Sequence, residues 1–445
     1  MRDIVKYELD DPESFRQKLL IWSNKYPVFC YLESNNYYKT CKSGLFYHTY
    51  DTIAGVDFIE LLEPEQNKAF LSLKEFVRAR PDWLFGHFSY DLKNEIENLT
   101  SDNFDGIGFP AMHFFQPRLV FTIEERLLTI HYPGEYYTKD EIILLFDSVN
   151  KIKIKDQKNY KDPDIRTRTP KQEYIDTVNK IKANIFRGDI YEINYCHEYY
   201  CENQLIDPLL VFNTLRTISP TPFSCLYKLS DKFLISASPE RFLKKTGDKI
   251  ISQPMKGTIK RSIYSGLDEQ LRNKLRYDPK EIAENVMIVD LVRNDLSKTA
   301  AADSVKVEEL CGIYSFKQVH QMVSTVSAVL RTADDMIDAI KNAFPMGSMT
   351  GAPKIRAMEL IEEYENTGRG LFSGAVGYFS PDRNFDFNVV IRSILYNKTR
   401  QYLSYLVGSA ITARSVPEKE YEECLVKARA INQVFNFAEK EISDA

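Results

Sequence analysis

The sequence predicts a mixed fold of helices and sheets, α/β with α+β character. Three observations carry this. At 445 residues the chain exceeds one small core, so two or three domains, or one large composite domain, are expected. Up to about residue 130, strand-like runs and turn residues outnumber helical patterns. From residue 169 on, capped helices alternate with strand pairs. The 27 Tyr and 27 Phe suit a large, well-filled core.

Composition excludes several classes. The net charge of −5, with no basic run, gives no support to nucleic-acid binding. No stretch approaches ~18 uninterrupted apolar residues, so no membrane span is expected. The N-terminal MRDIVKYELDDPESF lacks the apolar core of a signal peptide. Seven scattered Cys suit reduced thiols and a cytoplasmic location. Cys196 and Cys201 have no second pair at zinc spacing, so no zinc site is expected.

In chain order, Asp11-Pro12-Glu13 opens a helix, and VFCYLESNNYY is a strand followed by a polar turn. Residues Trp83 to Asp91 form a buried strand, and PRLVFTIEERLLTIHYPG alternates as a hairpin. Residues 1–150 are assigned to a first domain. A charged connection follows over residues 137–168, its second part an exposed linker. Residues 169–437 are assigned to a second domain. There Tyr174 to Phe186 is an amphipathic helix, broken at Gly188-Asp189. In the strand that follows, Glu192 and Asn194 share a face.

The stretch Ser238 to Thr258 reads as a β-hairpin turning at Thr246-Gly247-Asp248. Arg241 to Lys245 then pairs with Lys249 to Gln253, which puts Glu240 and Lys256 at the open end. A Lys beside a carboxylic acid can be a nucleophile beside a general acid/base. A solvated surface Lys is the other reading. Pro254 and Gly257 bracket Lys256 and fix its backbone, which favours the functional one.

Asp278 caps the next helix, with Pro279 at its first position. Glu281 and Glu284 then share a face with Ile288 and Leu291. Near the C-terminus Ser415 is the expected N-cap, and Glu420, Glu423 and Lys427 share a face. Acids near a helix start complement its dipole. Acids on the apolar stripe of two helices need a counter-charge. Four oxygen donors with no His or Cys among them suit Mg²⁺. Gly347-Ser348-Met349-Thr350-Gly351-Ala352-Pro353-Lys354 is a Gly-rich turn into a helix, able to meet an anion but without the Walker spacing. Arg392 is expected inside an apolar strand, where it wants a carboxylate.

GDIYEINYCHEY, SPERFL, PMKGT, AENVMIVDLVRND, QVHQMVSTV, GSMTGAPKIRAMELI, GAVGYFS and EKEYEECLVKA together resemble the chorismate-utilising enzymes. Within them the likeness is to the aminodeoxychorismate synthase component I branch (the para-aminobenzoate synthase large subunit). The resemblance implies the anthranilate-synthase-I-like fold, two lobes of β-sheet flanked by helices, with chorismate and Mg²⁺ between them. It implies Glu240 as general acid/base, Glu284 and Glu423 as direct Mg²⁺ ligands, and Glu281 and Glu420 as support through water. His320, Thr350, Arg392, Gly408, Ser409 and Lys427 fall at the substrate-contacting positions. Lys256 is the discriminator, because this branch carries Lys where anthranilate synthases carry Ala. The Lys amine would add at C2 of chorismate with loss of the C4 hydroxyl, and ammonia would then displace it. A neutral Lys256, its pKa depressed, is expected for this.

The implied activity is amination of chorismate to 4-amino-4-deoxychorismate, a step of para-aminobenzoate and folate biosynthesis. Ammonia would come from a separate glutamine amidotransferase subunit. Anthranilate synthase component I, isochorismate synthase and a non-catalytic chorismate-binding subunit are the alternatives. Three departures stand out. Glu192 replaces a usual Gln, and Ala410 replaces a Gly expected to approach a substrate carboxylate. Leu32-Glu33-Ser34 resembles the segment where relatives bind tryptophan, with a plain β-turn as the other reading.

Overall fold

The computed structural model describes residues 2–37, 50–65, 67–154, 161–332 and 335–437. Nine elements frame the candidate site. They are β1 (Glu192–Cys201), β2 (Lys232–Ser238), β3 (Arg241–Thr246), β4 (Lys249–Gln253) and β5 (Met255–Lys260). Helix α1 (Pro279–Ser297), β6 (Val319–Val329), β7 (Tyr402–Thr412) and α2 (Pro417–Val434) complete them.

Among the described residues two antiparallel sheets form, of twelve and ten strands. The first runs from Arg2–Glu8 through Leu127–Pro133, Leu119–Glu124, Thr52–Val56, Val28–Glu33 and Phe223–Leu229 to β2. It continues through Ser393–Asn397, β7 and β1 to Gly351–Ala352. The second runs β5, β6, β4, β3, then Phe385–Asn388, Ala375–Phe379, Leu84–Phe88, Met112–Gln116 and Glu60–Leu62. Strands from residues 1–150 and from residues 169–437 share both sheets.

Side-chain alternation explains the layering. Cys30, Leu234 and Leu406 pack with Phe85, Phe114 and Phe387 in one core. Their neighbours Phe29, Tyr31, Ile235 and Tyr405 pack with Leu19, Ile181, Phe212 and Ile431 in a second core. Each central strand of the first sheet therefore buries one face on the other sheet and one on helices. This is why those strands read as continuous apolar runs.

The mixed helix and sheet class holds, as do most element expectations. The helix opened by Asp11 spans Pro12–Ser23, and the Asp11 side chain accepts from Ser14 N. The hairpin pairs Arg241 with Gln253 and Thr246 with Lys249. Asp278 caps α1 by accepting from Lys280 N and Glu281 N.

Three expectations fail. The start of the 137–168 connection is a helix, Lys139–Asn150, with a Thr138/Glu141 capping box. Residues 155–160 of that connection lie outside the described residues. Ser415 does not cap α2, because its hydroxyl accepts from Thr412 N at 3.1 Å and donates to Ala410 O at 3.3 Å. The N-cap position is Val416. Arg392 lies between strands rather than in one, with a left-handed φ of 51°.

Candidate active site

The hairpin is held rigidly. A β-bulge falls between Arg241 and Lys244. Arg241 donates to Asp386 Oδ1 at 2.9 Å and to Gln253 at 2.5 Å, joining three strands of the second sheet. Glu240 precedes this anchor and is 3% exposed. Ser348 Oγ donates to its Oε1 at 2.7 Å. Burial raises the Glu240 pKa to about 7, against the pull of the Ser348 hydrogen bond and the Lys256 charge. A carboxyl at that value can both give and take a proton near neutrality.

Lys256 is 8% exposed. Asn285 of α1 reaches its carbonyl at 3.5 Å, and Gln321 of β6 donates to Gly257 O at 3.1 Å. Gly257 has φ 89°, and a Cβ there would stand 3.0 Å from Glu281. Only glycine fits that conformation and space. The Lys256 ammonium lies 2.8 Å from Glu192 Oε1. Burial pushes the Lys256 pKa down, but Glu192, with Glu284 and Glu240, outweighs it and holds the pKa above the ordinary value. The expectation of a depressed pKa is therefore corrected: in this state Lys256 is an ammonium, because carboxylates rather than cations surround it.

Glu240 and Lys256 open on one cleft of about 740 Å³, part of it continuous with solvent. That lies within the ~300–1,000 Å³ of small-molecule sites. Arg392, Gly408, Lys427, Glu281, Glu284 and Glu423 also line it. A Cβ on Gly408 would meet Cys196 Sγ at 2.4 Å, so β1 and β7 approach as only glycine allows. Lys427 donates to Gly408 O at 2.8 Å and pairs with Glu423 at 2.7 Å. The Arg392 guanidinium has no ion pair or side-chain hydrogen bond among the described residues, and burial lowers its pKa. An unpaired, half-buried guanidinium facing a cleft calls for an anion.

Four sequence-predicted residues do not line the cleft. His320 is turned away on β6, its ring held by Ser315 at 2.8 Å and Asp268 at 3.1 Å. Gln321, the next residue, takes the cleft side. Ser409 points the other way on β7, its hydroxyl 2.9 Å from Tyr174. Both follow from strand alternation. Thr350 bonds Met346 O and Gly347 O inside its loop, and its carbonyl accepts from Asn194 N. Glu420 lies behind Glu284. Lys280 stands between them, 3.6 Å from Glu284 and 3.0 Å from Glu420.

Sequence reasoning missed Ser348, Asn285, Gln321 and Lys280. Each sits within one or two residues or one helical turn of a recognised position, which was the available signal. It also missed the buried Arg369–Glu365 pair. Arg369 donates to Asn194 O and Met349 O, both at 2.7 Å, and Glu365 accepts from Cys196 N. The pair fastens two segments of the cleft wall.

The donor chemistry fits a hard cation. Burial raises Glu281 to about 7, helped by Glu423, and Glu284 to about 8, helped by Glu192 and Glu281. Burial alone would raise Glu423, but Lys427 outweighs it and holds the carboxyl low. Around the cleft, Glu192, Glu240, Glu281, Glu284, Glu420 and Glu423 stand against Lys256, Lys280, Arg392 and Lys427. Six carboxyl groups stand against four cations, and the raised values of Glu281 and Glu284 express that surplus of two acids. Glu284 Oε1 and Glu420 Oε2 are buried without a hydrogen-bond partner. Among the described residues no three acid, His or Cys side chains converge as a protein-only metal cage. Mg²⁺ does not need one, since it binds through one or two carboxylates plus water and substrate oxygens.

Leu32, Glu33 and Ser34 line a second cavity of about 490 Å³ with Tyr50, Tyr378 and Asp386. Leu32 and Glu33 belong to strand Val28–Glu33, and Arg216 bonds Glu33 at 3.1 Å. No helix among the described residues is long and apolar enough to cross a membrane.

Known proteins are similar to this chain in sequence and fold. The chain is 30% identical over 397 residues to aminodeoxychorismate synthase component 1 of Bacillus subtilis, covering 86% of this chain and 82% of that one. It is 32% identical to anthranilate synthase component 1 of Thermus thermophilus, covering 80% and 77%. Among solved structures, anthranilate synthase component I of Streptococcus pneumoniae superposes with a TM-score of 0.70 at 25% identity, covering 79% and 80%. The isochorismate synthase MenF of Escherichia coli shares the fold, with a TM-score of 0.77 at 16% identity, covering 98% and 94%. The family model for chorismate binding enzymes matches residues 27–433, and the chain belongs to that family.

Proposed function

We propose that this enzyme aminates chorismate at C4, as aminodeoxychorismate synthase component I, with ammonia supplied by a glutamine amidotransferase subunit in the cytoplasm. The observation that carries the reading is Lys256, a buried amine opening with Glu240 on one cleft. An anthranilate synthase has no use for an amine there. The name of the Bacillus relative supports the same branch.

In this reading Arg392 and Lys427 hold the carboxylates of the substrate. Ser348 orients Glu240, whose proton leaves with the C4 hydroxyl. The Lys256 nitrogen forms the bond to C2, and ammonia at C4 releases it. Splitting the substitution into two steps through a covalent adduct lowers each barrier. Glu284 and Glu423 would hold Mg²⁺, with Glu281 and Glu420 supporting it through water. Mg²⁺, when bound, would neutralise the surplus carboxylates and anchor a substrate carboxylate.

Product mass spectrometry with chorismate, Mg²⁺ and ammonium tests this on wild type and Lys256→Ala. The expected result is 4-amino-4-deoxychorismate from wild type and its loss in the variant. Anthranilate or isochorismate from wild type would place the enzyme in a sister branch. Glutamine should replace ammonium only when the amidotransferase subunit is added.

A further inference from the structure

We infer that Glu192 is a catalytic base, whose carboxylate takes the Lys256 proton and so frees the amine to attack. The inference rests on Lys256 being the nucleophile, as proposed above. It starts from a residue type. Position 192, after Gly188-Asp189-Ile190-Tyr191, carries a carboxylate. An amide oxygen does not take a proton from an ammonium near neutrality, and a carboxylate can.

Geometry then singles out Glu192. Its Oε1 is 2.8 Å from Lys256 Nζ. It is 1% exposed, and beyond this ion pair neither carboxylate oxygen has a hydrogen-bond partner among the described residues. It stands on β1, paired with Thr412 on one side and Ala352 on the other. A strand paired on both edges holds its side chain in place better than a loop. The other charged groups facing Lys256 have partners elsewhere. Glu240, at the start of β3, accepts from Ser348. Glu284, on α1, faces Lys280. Glu423, on α2, pairs with Lys427.

The transfer is internal, so it creates no net charge. Ammonium with carboxylate and amine with acid both sum to zero. Water favours the charge-separated form. Substrate filling the cleft expels water and tips the pair toward the neutral form. The resting ammonium and the reacting amine are thus two states of one pair.

The balance is as follows. An N–H bond of Lys256 breaks and an O–H bond forms on Glu192. The freed lone pair makes the N–C2 bond. The ring double bonds move from C1=C2 to C1=C6 and from C5=C6 to C4=C5. The C4–O bond breaks, and the hydroxyl leaves as water with the Glu240 proton. Ammonia adds at C4, the double bonds return and the N–C2 bond breaks. Glu240 recovers a proton from the new C4 ammonium, and Glu192 returns its own to Lys256.

The test mixes full-length protein with chorismate and Mg²⁺, without ammonia, and follows the adduct by intact-protein mass. Wild type should form it at a rate that falls above pH 7, where Glu240 loses the proton it supplies to the leaving hydroxyl. Glu192→Gln keeps the shape and loses the base. It should bind chorismate by calorimetry yet form adduct ~100-fold more slowly at pH 7, within the range of a lost general base. Relative to wild type its rate should rise ~10-fold per pH unit as solvent removes the proton instead. Glu192→Asp should recover part of the rate, and covers the case of a Gln variant that does not fold. A Gln variant with the wild-type rate and pH profile overturns the assignment. So does one whose only defect is weaker chorismate binding, because Glu192 then merely shapes the cleft. A wild type that turns over with no adduct, beside an active Lys256→Ala, defeats the nucleophile reading and this assignment with it.

Discussion

Replacing Arg369 by Met tests what holds the cleft wall in place. Arg369 and Glu365 are each 3% exposed. The guanidinium donates to Glu365 at 2.6 and 2.9 Å and lies 4.7 Å from the Tyr90 ring. Removing one member of a buried ion pair costs about 3–5 kcal/mol, because the other charge is stranded. Losing the partners of Asn194 O and Met349 O adds about 1 kcal/mol each. The expected loss is about 5–7 kcal/mol, against the ~5–15 kcal/mol that holds a typical native protein. Equilibrium urea unfolding, read from tryptophan fluorescence, measures it. Trp22 sits in the helix-side core and Trp83 in the core between the sheets. Burial already raises the Glu365 pKa. Without Arg369 the carboxyl should take up a proton in the fold, so the loss should be smaller at pH 5 than at pH 8. Glu365→Gln added to Arg369→Met should restore ~2 kcal/mol or more at pH 8. A single-variant loss under ~2 kcal/mol, or one independent of pH, would refute the stranded-charge argument.

Other outcomes follow from the same geometry. Arg392→Gln should raise KM for chorismate ~10–100-fold, the worth of one charge-assisted hydrogen bond; an unchanged KM in steady-state kinetics contradicts the anion role. Gly408→Ala should lower activity at least ~10-fold and lower Tm, since a lost near-attack geometry alone can cost that much. Cys196→Ala should not rescue it, because the new Cβ also meets Tyr195 O at 2.5 Å. Without metal, stability should fall as pH rises from 6.5 toward 8. Glu240, Glu281 and Glu284 have raised pKa values of about 7, 7 and 8 and resist ionising in the fold, so they lose stability as pH rises. Below pH 6.5 four histidines act in the opposite sense and offset this loss: His87 and His131, lowered to about 4 by burial, and His113 and His197, lowered to about 3. Mg²⁺ should flatten the alkaline limb in a thermal-shift series, and an unchanged limb counts against these carboxylates as its site.

Local elements were legible wherever the chain itself supplies the signal. Asp11, Asp278 and the Thr246-Gly247-Asp248 turn act within a few residues, and each does in the structure what its spacing predicts. Ser415 fails because its hydroxyl has another backbone donor and an acceptor within reach. The Thr412 and Ala410 backbone takes it before the helix does. The helix Lys139–Asn150 was read as a connection because charge was weighed over its capping box. The sharing of both sheets by the two ends of the chain lay beyond local reading. Strand order depends on pairings between residues far apart in the chain, such as Ser224 with Glu33.

For the cleft, the family resemblance indicated which residues gather but not their charge states. Glu240, Lys256, Arg392, Gly408, Lys427 and three acids converge, as motifs on separate elements implied. Charge depends on what each residue meets across the fold. Lys256 was expected to be neutral. It meets Glu192, a residue that drew notice only as a departure from the usual Gln. His320 and Ser409 were misplaced by one residue because a strand offers each neighbour the opposite face, and only the packed sheet decides which face the cleft takes. The departure at 192 therefore acquires meaning only beside Lys256. A carboxylate there keeps the amine protonated at rest and supplies its own means of release, whereas an amide would require the amine to be neutral beforehand. The two arrangements predict different pH dependence for the same bond formation. That makes the proton on Lys256, rather than the presence of the Lys, the quantity that separates this site from a Gln-bearing one.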